Sequence, residues 1–221
     1  PRQSFECGVP ASPSQMASTG RAVRLALAAE RIEVGLTLLG VAAVEDSLQE
    51  HVPRTISQMR DAGIKVWMLT GDKQETAISI GYSSRLLDTH TRLVVIGGVS
   101  SLKSTRKLIA GRYAELQSWL KRRRALPPER RRLRSLAFVV DGNALGWCLQ
   151  DRPLRNLLTA MLARATTVLA CRVSPMQKAE LVQMVRQSVH PPPITLAIGD
   201  GGNDLPMLQE GRPPPPPSPL P

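Results

Sequence analysis

The chain has 221 residues, 42% of them hydrophobic but only 3% aromatic, and a formal net charge of +11. That length suffices for one sizeable domain, and the composition calls for an aliphatic core of the kind that parallel strands buried between helices provide. No apolar run approaches the roughly 20 residues that span a bilayer, and the start shows no continuous apolar segment of a leader, so the chain as given is expected to be soluble.

Residues 1–21 are rich in Ser, Pro and Gly without periodicity and are expected to form a disordered N-terminal segment. The run "LTLLGVAAV" (36–44) has the length of a buried strand. "VPRTISQMRDAG" (52–63) reads as a helix, with Pro53 in its first turn and Gly63 as its stop. "IKVWMLT" (64–70) is a strand, and 71–87 a helix entered through Gly-Asp. "LVVI" (93–96) is a short strand, followed by a polar, basic helical region over about 101–124. "SLAFVV" (135–140) is a strand ending in Asp141-Gly142, and a helical region around 154–164 follows. "TTVLAC" (166–171) is a strand. The helix over 174–188 has Ser174 as its N-cap and Pro175 at its first position. "ITLAIG" (194–199) is the last strand, and 210–221 is a proline-rich tail in which 213–221 (PPPPPSPLP) favours a polyproline II conformation. Alternating strands and helices predict an α/β fold: a parallel sheet with helices on both faces.

Cys7, Cys148 and Cys171 share no metal-ligand spacing, and His51, His90 and His190 are scattered. The cysteines read as reduced thiols, with Cys148 and Cys171 in apolar, core-like contexts. The positive charge concentrates at 121–124 and 130–134. A nucleic-acid patch is one reading of these runs and a solvated loop between two elements the other. No aromatic residue interleaves with the arginines, which disfavours base stacking, and no nucleic-acid partner is expected.

In parallel sheets of this kind, ligands bind at the carboxyl ends of the strands. Three polar groups fall there: Thr70-Gly71-Asp72, Arg172, and Asp200-Gly201-Gly202-Asn203-Asp204, with Lys178 one turn into the helix after Arg172. A hard cation such as Mg²⁺ takes one or two carboxylates together with phosphate and water oxygens. Lys, Arg and helix N-termini neutralise phosphoryl oxygens, and glycines let backbone approach a ligand. These are the electrostatic parts of a phosphoryl-transfer site. Taken singly, Thr-Gly-Asp reads as a helix cap, Lys178 as a solvated lysine and the Asp200–Asp204 stretch as a turn; their order, each at a strand end, favours the joint reading.

At these residues the chain resembles a known family. "MLTGDKQETAISIGYS" (68–83), "CRVSPMQKAELVQMVR" (171–186) and "TLAIGDGGND" (195–204) resemble the phosphorylation domain of P-type ATPases, and "LLGVAAVEDSLQEHVPRTI" (38–56) resembles the lipid-flipping P4 class. The resemblance covers about 22–209 and implies a haloacid dehalogenase-like Rossmannoid sheet. It implies a remnant of the nucleotide-binding domain over 22–35 and a phosphorylation domain over 36–209, with a variable basic insertion at about 97–134. Thr70, Gly71 and Asp72 would contact the nucleotide and the transferred phosphoryl group, and Arg172 would contact ATP. Lys178 would neutralise the phosphoryl group, which makes Lys178 and Thr70 the catalytic candidates. Asp200 and Asp204 would bind Mg²⁺, with Asn203 helping to hold the phosphate. The parent activity it implies is ATP-driven movement of phospholipid toward the cytoplasmic leaflet through an aspartyl-phosphate. The parent would sit in a membrane with this domain facing the cytoplasm, beside an accessory membrane subunit.

The family's Asp-Lys-Thr-Gly-Thr motif, which holds the nucleophile, does not occur in these 221 residues, and neither does its Thr-Gly-Glu loop. Gly202 stands where most members have alanine. The resemblance therefore implies an incomplete sheet lacking the nucleophile strand, and a fragment, splice product or imperfect gene model that is inactive alone. Two other functions remain open: a catalytically dead phosphorylation-domain protein that serves as an interaction module, and a small phosphatase of the dehalogenase superfamily, which the absent nucleophile opposes.

Overall fold

The computed structural model describes residues 19–41, 48–127, 129, 135–188 and 193–211. The chain divides into two compact units, Pro1–Asp46 and Ser47–Pro221. In the first, helix α1 (Thr19–Ile32) takes in the last three residues of the segment expected to be disordered; the rest of that segment lies outside the described residues. The strand expected over 36–44 does not form over its described part, 36–41, where Leu36, Leu38, Leu39 and Val41 are all exposed. An apolar run makes a segment compatible with a sheet, but a strand also needs a hydrogen-bonded neighbour, and none pairs with it among the described residues.

The second unit is built on four parallel strands: β1 (Met68–Leu69), β2 (Arg92–Ile96), β3 (Leu136–Asp141) and β4 (Thr167–Cys171), in the order β1-β4-β3-β2. Strands β3 and β4 are central and buried on both faces, so they read as continuous apolar runs, LAFVVD and TVLAC, rather than alternating ones. They pair in register from Ala137 opposite Thr167 to Asp141 opposite Cys171. β1 pairs with β4 over only two residues, and the backbone N–H of Thr70 extends that ladder to Ala170 O at 2.8 Å.

Helices cover both faces, as expected. On one side α4 (Leu102–Arg124), α5 (Gly142–Gln150), α6 (Arg152–Leu162) and α7 (Pro175–Ser188) close over Val94, Ile96, Phe138, Val140, Val168 and Ala170. On the other, α2 (Val52–Asp61) and α3 (Gln74–Ser83) contribute Ile56, Ala77 and Ile78 against Ala137, Val139, Leu169 and Cys171. Local signals set several boundaries. Gly63 takes φ 81 just past α2, and the Ile64 N–H closes back on Met59 O at 2.9 Å, a left-handed stop that glycine makes without strain. Asp141 caps α5 through the Asn143 N–H, and Asp151 caps α6 through the Leu154 N–H. Cys148 and Cys171 are buried free thiols, as their contexts suggested.

Further expectations change in the second unit, where the helix expected over 71–87 is confined to Gln74–Ser83. The strand expected over 64–70 shrinks to Met68–Leu69. Helix α5 occupies residues that the sequence pattern left unassigned. The helical region expected over about 101–124 forms as α4, so the alternative of a loop at 121–124 gives way to the last turn of that helix, whose Thr105, Ile109, Leu116 and Trp119 are buried; residues 130–134 lie outside the described set. Finally, 194–199 is extended but pairs with no strand among the described residues. Ile194, Leu196 and Ile198 project outward at 90%, 80% and 76% exposure, a row of apolar side chains that a paired, covered strand would hide. Ala197 lies on the inner side against Gly211, where even a single added Cβ would sit 2.5 Å from the Ala197 methyl. Thus β1 is a sheet edge among the described residues, and the segment leading to Asp200 does not pair with it.

Candidate functional site

The site grows from the carboxyl ends of β1 and β4. Beyond β1, Thr70 Oγ1 donates to Asp72 Oδ2 at 2.7 Å and accepts from the Asp72 N–H at 3.1 Å. This short turn precedes α3 rather than capping it: the residue before the helix is Lys73, without a side-chain cap. The turn is tied to the end of β4 by two backbone bonds, Arg172 N–H to Asp72 O at 2.9 Å and Val173 N–H to Thr70 O at 3.2 Å. The expected meeting of Thr70-Gly71-Asp72 with Arg172 is therefore present.

Arg172 adopts φ 54, the left-handed region, which costs an ordinary L-residue about 1 kcal/mol. Such strain persists where neighbouring structure over-determines it and concentrates at functional sites. Ser174 then starts α7. Its hydroxyl accepts from the Gln177 N–H at 3.3 Å while Gln177 Oε1 accepts from the Ser174 N–H at 3.0 Å, a reciprocal cap that bears out the expected helix start.

One turn on, Lys178 is buried and its Nζ donates to Asp204 Oδ1 at 2.7 Å. The side chains are only 7% and 12% exposed, so Lys178 is not the solvated helix lysine of the simpler reading. The hydrogen bond from Lys178 holds the Asp204 carboxyl below its ordinary range, against the opposing effect of burial, with the ammonium charge and the backbone N–H of Gly201 adding to it. Asp204 also sits where no side chain fits opposite it, since a Cβ on Gly199 would lie 2.5 Å from Asp204 Cβ. Asp200 and Asn203 are exposed beside it.

The structure thus forms two clusters, Thr70–Asp72 with Arg172 and Lys178 with Asp204, joined through the start of α7. Among the described residues no group of three or more His, Cys, Asp or Glu gathers to hold a metal ion. Asp200 and the ionised Asp204 supply two carboxylates, and Gly202 leaves backbone open between them. That donor set fits Mg²⁺, which takes few protein oxygens and completes its shell from phosphate and water. Two residues of the site escaped the sequence reading. Gln177 was legible in the Ser-x-x-Gln spacing of a capping box. The closeness of Gly142 to Arg172 is a tertiary contact with no local signal.

A parallel sheet covered by helices on both faces, with Asp-containing loops at its carboxyl ends, defines an α/β domain of the kind that binds its ligand at those strand ends; its relatives imply that the fold is haloacid dehalogenase-like. No protein-family model matches the chain. Among curated proteins, it is 42% identical over 190 residues to phospholipid-transporting ATPase 1 of Arabidopsis thaliana and 43% identical over 190 residues to phospholipid-transporting ATPase DRS2 of Saccharomyces cerevisiae. It is also 42% identical over 189 residues to a phospholipid-transporting ATPase of Schizosaccharomyces pombe. Each match covers 86% of this chain but only 15%, 13% and 14% of the respective relative. The chain is related over most of its length to the phospholipid-transporting, P4-type ATPases and corresponds to about one seventh of such a protein. No helix among the described residues is long and apolar enough to cross a membrane.

Proposed function

We propose that the chain is the phosphorylation-domain part of a phospholipid-transporting P-type ATPase, with the carboxyl ends of β1 and β4 as the place where the phosphates of ATP are held. The observation that carries this reading is the buried Lys178–Asp204 pair, set one turn into the helix that follows a strained Arg172, which is itself bonded to the Thr70–Asp72 turn. A buried ion pair is kept at a desolvation cost, and at the strand ends its ammonium would stand ready to offset phosphoryl charge. Thr70 offers a hydroxyl and Gly71 an uncovered backbone to the transferred phosphoryl group, while Arg172 and Lys178 offset its charge. Asp200 and Asp204 would hold Mg²⁺, with Asn203 on the phosphate; the ion would offset charge on the phosphate oxygens.

Covalent transfer also needs an acceptor aligned with the γ-phosphate. Asp200 and Asp204 do not substitute, because metal binding and the Lys178 pair engage them. These 221 residues therefore bind MgATP weakly and do not turn it over. Movement of phospholipid, its direction and an accessory membrane subunit belong to the longer parent in this reading.

Two measurements on the purified chain test it. MgATP added to labelled protein is expected to shift amides at 70–72, 172 and 200–204; shifts confined to other regions refute the site. Incubation with γ-labelled ATP and Mg²⁺ followed by acid quenching is expected to leave no hydroxylamine-sensitive label. A label that disappears in Asp200→Asn would establish a working enzyme instead.

A further inference from the structure

We propose that Gly142 and Gln177 are positioning residues that lock the backbone of Arg172 in its left-handed conformation and so set the direction in which its guanidinium leaves the sheet. The functional part of this inference rests on the reading of Arg172 as a nucleotide contact. A residue at φ 54 projects its side chain along a path that extended or right-handed backbone does not offer. Glycine would take this conformation without strain, yet the position carries an arginine, so the direction of its side chain depends on whatever prevents the backbone from relaxing.

Two sides of the peptide are held. On one, the Arg172 N–H is bonded to Asp72 O and the Val173 N–H to Thr70 O. On the other, the Arg172 carbonyl lies directly on Gly142: a Cβ there would fall 2.1 Å from Arg172 O and 2.9 Å from its carbonyl carbon. Any side chain at 142 would expel that peptide. Gln177 fixes the approach, since its Nε2 donates to Gly142 O at 2.7 Å while its Oε1 accepts from the Ser174 N–H at 3.0 Å. A single amide thereby bridges the start of α5 to the start of α7, on either side of the segment formed by Arg172 and Val173. Gly146 keeps the space that this amide needs, because a Cβ there would lie 3.3 Å from Gln177 Nε2.

Gln177→Glu separates this role from simple helix capping. Glutamate keeps the acceptor for the Ser174 N–H and hence the reciprocal cap, but it cannot donate to Gly142 O. The first measurement needs no ligand. Amide exchange in the 221-residue chain is expected to rise about fivefold at Arg172 and Val173 in Gln177→Glu, as for loss of one neutral hydrogen bond, and by more in Gly142→Ala, where the added methyl displaces the peptide, with Phe138 and Val139 in β3 unchanged. Unchanged exchange at Arg172 in both variants overturns the proposal. An equal rise throughout β3 in both also overturns it, because the effect would then be general destabilisation.

The second measurement is MgATP affinity, read from amide shifts, for the wild type, Arg172→Ala, Gln177→Glu and the double variant. Each single change is expected to weaken binding about fivefold, and the double variant no more than Arg172→Ala alone. Additive losses refute action through Arg172. Affinity unaltered by Arg172→Ala would sink the nucleotide reading separately, while the exchange data would still decide whether Gly142 and Gln177 fix the backbone.

Discussion

Replacing Lys178 by methionine keeps the length and the apolar stem of the side chain and removes only its ammonium. In the folded protein Nζ and Asp204 Oδ1 are 2.7 Å apart, and both side chains are nearly buried. At an effective dielectric constant of about 20 the gross attraction at that distance is about 6 kcal/mol, most of it offset by the cost of taking both charges from water. Removing one partner forfeits the attraction while leaving the other charge desolvated, which costs about 3–5 kcal/mol in buried pairs. Asp204 retains a bond from the Gly201 N–H, long at 3.4 Å, so the lower end, about 3 kcal/mol, is expected. For a unit of this size that is a loss of about 6–12 °C in Tm.

The pH dependence has a definite sign. Because Asp204 is held below its ordinary range in the folded state, its contribution is fully present above the unfolded carboxyl value of about 4 and is lost as pH falls through the folded value. Urea unfolding followed by circular dichroism should therefore show the largest gap between wild type and Lys178→Met at pH 7, narrowing below about pH 4. Lys178→Met/Asp204→Asn, with no charge stranded, should recover most of the loss at pH 7. Equal midpoints at pH 7, or a gap that stays constant down to the lowest pH at which the wild type folds, would refute the assignment of a stabilising buried pair.

Phe138 is fully buried at the centre of β3, and Phe138→Ala should destabilise the protein by about 3–5 kcal/mol in chemical denaturation; a loss below about 1 kcal/mol would contradict the packing described. Leu196, by contrast, is 80% exposed, so Leu196→Lys should change stability by no more than about 0.5 kcal/mol while lowering the binding of an apolar fluorescent dye. A large destabilisation there would mean that the segment is covered after all. Burial, with the Asp151 charge adding to it, pushes the Cys148 thiol up to about 12. Alkylation at pH 8, read by mass spectrometry, should leave Cys148 unmodified in the native chain and label it once urea unfolds it.

Sequence by itself determined the class of fold, because the buried strands β3 and β4 and the capped helices around them carry their signals locally. The aliphatic runs 136–141 and 167–171 need no partner to be recognised, and Ser174-Pro175 or Gly63 mark helix ends through their own backbone chemistry. The order of motifs likewise placed Thr70, Asp72 and Arg172 just beyond strands that do form, and Lys178 in the helix that follows, and the relatives bear out the family that those motifs resemble. What only the tertiary structure decided is which apolar runs become strands. The stretches 36–41 and 194–199 read as well as β4 does, but a strand is completed by its neighbour's backbone, and that neighbour is not encoded in the run itself. The same holds within the site. Lys178 became a buried partner of Asp204 because α7 packs against the 3₁₀ turn Gly202–Asp204 and α8 (Leu205–Glu210), and Arg172 took its left-handed backbone because Asp72 holds one side of it and Gly142 leaves room on the other. Contacts between residues 30 or 100 positions apart leave no periodicity to read; they exist only once the sheet has brought the strand ends together.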